Sequence, residues 1–234
     1  MADLRITHLY PELLTLNGEK GNIAALVKRA NWCGLEAEVT AVEHGHHLPR
    51  HTDILVIGAG TNSAAKLAAE ALQKHAREIA NADYQVLALG SGWDILAESF
   101  TVDGEAVPTL GLTATNHTAT GTHLAGEVVL GDGANPLAGF INTDRVITGI
   151  DESLALGRVS VSDDERLVGL LEGYFSDRIL AARLQGPLLP MNPLLADELL
   201  MRVLGAKYQV RADAADQQAK LARQAIAGRL NFKP

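Results

Sequence analysis

Cysteine is almost missing from this chain: 234 residues hold one, Cys33. A single thiol excludes an internal disulfide framework and any cysteine-rich zinc site. Long hydrophobic runs are missing too, since no stretch approaches the ~18–20 uninterrupted apolar residues of a membrane span. Basic excess is lacking: 20 Lys and Arg stand against 28 Asp and Glu, for a net charge of −8. That balance argues against a general binder of nucleic acid or anionic membrane, which needs a basic face. The opening Met1-Ala2-Asp3-Leu4-Arg5 lacks the charged-then-apolar plan of a secretion signal, so the expected location is cytoplasmic. What is present is ample core material. A hydrophobic content of 47% over this length can bury one large domain, expected to span 1–234.

The first third reads as strand–helix repeats. Leu4–Tyr10 is a strand, and helical spacing runs from Gly21 to Trp32, closed by Gly34. A strand over Leu35–Val42 and a polar turn with His44, His46, His47 and His51 follow. Asp53–Ile57 and Gln85–Leu89 are continuous apolar runs of the kind that a sheet covered on both faces requires. Between them lie Gly58-Ala59-Gly60 and an alanine-rich helix over Ser63–Ala80. Such alternation predicts a three-layer α/β domain with a mostly parallel sheet. From Thr101 to Thr148 the chain becomes rich in Gly, Thr and Val, which predicts hairpins or edge strands. Helices are expected again at Leu194–Leu204 and Asp213–Leu230.

The run Ala88-Leu89-Gly90-Ser91-Gly92 joins a buried strand to a helix that begins near Trp93, the layout of a nucleophile elbow. Such a turn is crowded, so the residues two before and two after its apex must be small. Centring it on Gly90 places Ala88 and Gly92 at those flanks; centring it on Ser91 places Leu89 and Trp93 there, which does not fit. The apex is therefore a glycine, with no side chain to attack anything.

Further segments carry a family resemblance. Leu9-Tyr10-Pro11-Glu12-Leu13-Leu14 with Asn17-Gly18-Glu19-Lys20-Gly21-Asn22, the turn Gly58–Gly60, the elbow at 86–96, Gly139-Phe140-Ile141-Asn142 and Gln185-Gly186-Pro187-Leu188-Leu189-Pro190-Met191-Asn192-Pro193 follow one another in order. Together with the C-terminal helix, they resemble the class I glutamine amidotransferases of the cobyric-acid-synthase-like type, above all the amidotransferase subunit of lipid II isoglutaminyl synthase. The resemblance covers essentially the whole chain. It implies a flavodoxin-like domain of that class and a Mur-ligase-like partner subunit in cell-wall precursor amidation. No cofactor is implied, because the ATP-dependent work of that family belongs to the separate ligase.

Two departures decide what can be carried over. Gly90 stands where the family's nucleophilic cysteine would be, and Gln185 where its histidine would be. A neutral amide is no general base near pH 7, and no histidine follows His123. Losing either member of such a pair costs several orders of magnitude in rate, and losing both costs little more. The chain is thus expected to be a pseudoenzyme. The oxyanion-hole backbone at Gly58, Ala59 and Gly60 is expected to survive, since it needs only the turn.

Other candidates have plainer readings. Ser91 is the one substitute nucleophile, but only if the elbow shifts by a residue; otherwise its hydroxyl or N–H groups help to cap the next helix. Asp94 suits the first turn of that helix through the dipole alone. The His44–His51 loop reads as solvated rather than metal-binding, and Cys33 as a small buried apolar residue. His117 and His123 are expected in loops. The family resemblance sets His123 near a basic position for the substrate carboxylate, so glutamine or another small anionic ligand is expected there beside Asn142. Lys20 between Gly18 and Gly21 lacks the phosphate-loop pattern, although the helix that follows could hold an anion. The rival functions are an active amidotransferase with chemistry rebuilt on Ser91 or on partner-supplied groups, a small-molecule sensor, and a cobalamin-pathway relative. The last would normally carry a fused ATP-using domain, for which 234 residues leave no room.

Overall fold

The computed structural model describes residues 2–131, 135–185, 187–211 and 213–232; Gly186, within one of the family-like segments, lies outside them. The elements in chain order are β1 (Leu4–Leu9), α1 (Glu19–Trp32), β2 (Ala37–Val42), β3 (Ile54–Ile57), α2 (Asn62–Leu72), α3 (Ala76–Ala80), β4 (Gln85–Leu89) and α4 (Ser91–Leu96). There follow β5 (Ser99–Val102), β6 (Glu105–Val107), β7 (Asn116–Leu130), β8 (Leu137–Thr148), β9 (Gly157–Ser162), β10 (Leu171–Glu172), β11 (Tyr174–Phe175), β12 (Ile179–Ala182), α5 (Leu188–Met191), α6 (Pro193–Leu204) and α7 (Ala214–Arg229). The first sheet has the order β11-β12-β4-β3-β1-β2 and is parallel except for β11.

Alternation along the central strands builds two cores, because successive side chains of a strand point to opposite faces. Ile54, Val56, Leu87 and Leu89 meet Ile23, Leu26 and Ala30 of α1 and Leu195, Leu199 and Leu200 of α6. Leu55, Ile57, Val86 and Ala88 meet Ala65, Ala68, Ala69 and Leu72 of α2. The alanines of α2 let it lie close on the sheet. Thr61 caps this helix by accepting from the Ala64 N–H at 3.2 Å.

Two expectations change. The alanine-rich helix over 63–80 is broken by a tighter 3₁₀ turn at Gln73–His75. There His75 turns inward and meets Glu78 at 3.0 Å, a tertiary preference that apolar spacing does not reveal. The Gly/Thr/Val-rich middle is more than hairpins at a sheet edge. Its long β7–β8 hairpin anchors a second six-stranded sheet with β5, β6, β9 and β10. No helix among the described residues is long and apolar enough to cross a membrane.

A buried ion pair ties the helical layer together. Arg29 of α1 grips both oxygens of Asp197 on α6 at 2.7 Å and reaches Asp216 on α7 at 2.6 Å, while the Tyr208 hydroxyl donates to Asp197. Removing one partner strands a buried charge. Asp197→Ala should lower unfolding stability by about 3–5 kcal/mol, whereas the paired change Arg29→Leu/Asp197→Leu should cost far less. Urea titration of the two variants checks this.

Candidate functional site

β4 is buried along its whole length and runs into Gly90, whose φ of 53° and ψ of −120° make the sharp turn before α4. The helix starts at Ser91, two residues before the position near Trp93 that the sequence indicates. A Cβ at Gly92 would run into the Ile57 carbonyl oxygen, and Ala88 is fully buried, so the flanks must be small. At the apex, a Cβ on Gly90 would stand 2.8 Å from the Ala59 Cβ and 3.3 Å from Asn17 Nδ2. The turn therefore has neither a nucleophile nor room for one.

The facing turn is as tight. Side chains at Gly58 and Gly60 would collide with the carbonyl oxygens of Leu14 and Leu13, in the loop that leaves β1 through left-handed Tyr10. Its N–H groups are occupied: Ala59 donates to Glu19 Oε1 at 2.9 Å, and Gly60 donates to Ser91 Oγ at 2.8 Å. Glu19 Oε2 also accepts from the Asn17 N–H at 3.0 Å. The expected free oxyanion donors at Ala59 and Gly60 are thus already satisfied within the chain. Ser91 does not cap α4 with its side chain; its hydroxyl lies between the Gly60 N–H and, at 3.3 Å, the Gly60 carbonyl oxygen. Glu19 is fully buried, and that burial pushes its carboxyl above the usual range although backbone N–H groups partly offset the shift. Nothing in the sequence singles it out. The α1 N-terminus, considered for an anion, is packed against Pro187, which a Cβ at Gly21 would meet at 2.8 Å.

Ala59, Gly60, Gly90, Ser91, His123, Asn142 and Gln185 all line one cleft of about 250 Å³, while Gly58 lies beneath it. His123 is exposed and comes from a bulge in β7 between Ala119 and Leu124, not from a loop beyond the sheet. Its Nε2 meets Asn142 Oδ1 on β8. Gln185 is held by a two-way backbone bridge to Phe140. Gly139 permits that approach, since a Cβ there would stand 2.7 Å from the Gln185 carbonyl oxygen.

Behind the cleft lies a charge network that sequence reading missed. Asp94 is buried and receives Arg145 Nε at 2.7 Å on one oxygen and His117 Nδ1 at 2.7 Å on the other. Arg145 also donates to Asn62 Oδ1 at 2.6 Å and lies over the Phe100 ring. Arg183 is paired with fully buried Glu172 at 2.8 Å. His117 is thus a buried strand residue rather than a loop histidine, and Asp94 is far more than a dipole partner. Thr115 Oγ1 lies 3.0 Å from His117 Nε2, which completes a Thr–His–Asp chain with the outline of a catalytic triad. Thr115 is fully buried, so no substrate reaches it. The one available hint was an acid inside the apolar stretch Trp93–Leu96.

Cys33 is partly exposed rather than buried, with its Sγ 3.0 Å from the Gln209 carbonyl oxygen. In the polar loop, His44 packs edge-on against Tyr10, and His47 against His75. Among the described residues, no three His, Cys, Asp or Glu side chains gather as a metal site.

Comparison with known proteins agrees with this fold. The lipid II isoglutaminyl synthase (glutamine-hydrolyzing) subunit GatD of Staphylococcus aureus is 26% identical over 99% of this chain and 98% of its own. The GatD subunit of Streptococcus pneumoniae is 27% identical over 88% of this chain and 82% of its own. The chain is glutamine-amidotransferase-like. A crystal structure of a glutamine amidotransferase shares the fold, with a TM-score of 0.56 and 17% identity over 84% of this chain and 98% of that one. No family model matches. The mostly parallel first sheet is the one the strand–helix alternation predicts, and the amidotransferase-like fold is the one the family resemblance implies.

Two measurements probe the amidotransferase-like elbow. Gly90→Ala should cost roughly 2–4 kcal/mol from backbone strain and the Ala59 contact, and Ala59→Gly should return part of that in a double-mutant cycle. Because the folded pKa of Glu19 is raised, its contribution to stability is full below the usual 4.5 and is lost as pH rises through the folded value. Glu19→Gln should remove that slope from a pH series of denaturation midpoints.

Proposed function

We propose that this chain is a non-catalytic amidotransferase-like subunit that docks on a Mur-ligase-like partner in cell-wall precursor amidation. The observation that carries the reading is the apex of the elbow: a glycine faces Ala59 where a nucleophile would need both a thiol and space. The base position points the same way, because Gln185 offers only a neutral amide to the cleft. Rebuilt chemistry on Ser91 is disfavoured, since its hydroxyl is engaged with the Gly60 backbone instead of pointing at a base.

The partnership rests on the named role of the relatives. Both GatD proteins are subunits of a glutamine-hydrolysing synthase, and this chain aligns with most of each. A subunit that has lost hydrolysis while keeping the outer segments fits a scaffold or regulator in such an assembly.

The test has two parts. Glutamine-dependent ammonia release by the purified protein should not exceed that of a Gly90/Ser91/Gln185 triple variant, and gentle purification from its native cell should bring a ligase-type protein with it. Release above that background, or recovery of the chain alone, would overturn the reading. Gly90→Cys/Gln185→His should stay inactive, because the new Cβ meets Ala59; adding Ala59→Gly removes that obstacle, and ammonia assays of the two variants compare them directly.

A further inference from the structure

The charged side chains around the cleft are paired with one another, and this bears on what the cleft can hold. Arg145 spends its donors on Asp94, Asn62 and the Thr101 carbonyl oxygen. Arg183 spends its own on Glu172 and on the carbonyl oxygens of Arg145 and Leu171. Asp144 lies 3.7 Å from Arg145. Each guanidinium thus has three of its five N–H groups engaged and a carboxylate already seated against it, so a ligand carboxylate meets competing charge, and His123 is engaged with Asn142.

What the walls offer instead is carboxamide. Asn17, Asn62, Asn142 and Gln185 all line the cleft. The side chains of Asn17 and Gln185 have no hydrogen-bond partner among the described residues. Asn62 and Asn142 use only their oxygens, which leaves their NH₂ groups as donors. Asn17 Nδ2 stands over the apex of the elbow, close to where a Gly90 side chain would be. Asn17 and Gln185 each present a planar donor and acceptor side by side, the complement of another amide.

We infer that the cleft binds an uncharged amide, either a primary carboxamide or a peptide group within a longer neutral ligand, and discriminates against the charged termini of free α-amino acids and against anions. This rests on the reading of the elbow as chemically empty, and it reverses the anionic ligand that the family resemblance implies. Neutral recognition has a physical signature. With no net charge meeting in the complex, affinity should change little with salt.

The experiment is calorimetric titration of the full chain with N-acetyl-L-glutaminamide, L-glutamine, L-glutamate and a polyol control, with ammonia assayed in the same cell. The neutral amide should bind saturably, about tenfold or more tighter than glutamate, and with little change between low and high salt. Asn142→Ala, at an exposed position, and Asn17→Asp, which keeps the shape while adding charge, should each weaken it about tenfold. Glutamate binding as tightly as the amide, binding by the polyol alone, or no saturable binding of the amide would overturn the inference. Amide binding accompanied by ammonia release would support the ligand class while sinking the non-catalytic reading.

Discussion

Three backbones cross at the head of the first sheet with no room for side chains between them. The elbow after β4 lies on the end of β3 at Gly92, against the Ile57 carbonyl oxygen. The turn after β3 in turn lies under the loop leaving β1, at Gly58 and Gly60 against Leu14 and Leu13. Interiors packed to this density transmit any added atom as a shift of whole elements. A side chain at 92 would move α4, and with it Asp94, which holds Arg145 and His117 on the second sheet. The position of the β7–β8 hairpin, and so of His123 and Asn142, depends on this crossing.

The buried charges follow from the same geometry. Joining a parallel sheet to a largely antiparallel one leaves chain ends and strand edges that hydrophobic contact alone does not orient. Asp94–Arg145 fixes α4 to β8, and Glu172–Arg183 fixes β10 to the chain just after β12. Each pair is closed by further hydrogen bonds from backbone or side chains, without which burying the charges would be a net cost. Such pairs add little stability over apolar replacements, yet removing one partner alone leaves a buried charge and is strongly destabilising.

Much of the architecture was legible because it follows local rules. β4 appears over Gln85–Leu89 as its apolar run indicates, and α7 lies within the capped stretch Asp213–Leu230. The elbow could be centred on Gly90 because crowding needs small residues at fixed offsets. Contacts between distant segments left no local trace. Nothing local marks Glu19, which accepts from the Ala59 N–H 40 residues away. Ser91 looks like a cap until Gly60 is found above it. The second sheet escaped for a related reason: its strands are set by a long hairpin whose register is broken by a bulge, and alternation alone does not show which sheet a strand joins.

An elbow kept without its nucleophile has a physical rationale. A side chain held at φ 53° and ψ −120° carries backbone strain of about 1–3 kcal/mol, which is sustained where the strain serves catalysis. Glycine adopts the same angles almost freely. On the proposed non-catalytic reading, glycine at position 90 avoids the strain while the crossing of β3, β4 and the β1 loop, which depends on Gly58, Gly60 and Gly92, is preserved. The space above Gly90 is bordered by the Ala59 methyl group and Asn17, and Glu19 and Ser91 satisfy the N–H groups of the neighbouring turn. A nucleophile placed at position 90 alone would therefore carry the strain and collide with Ala59, so accommodating one requires a coordinated change in at least two turns.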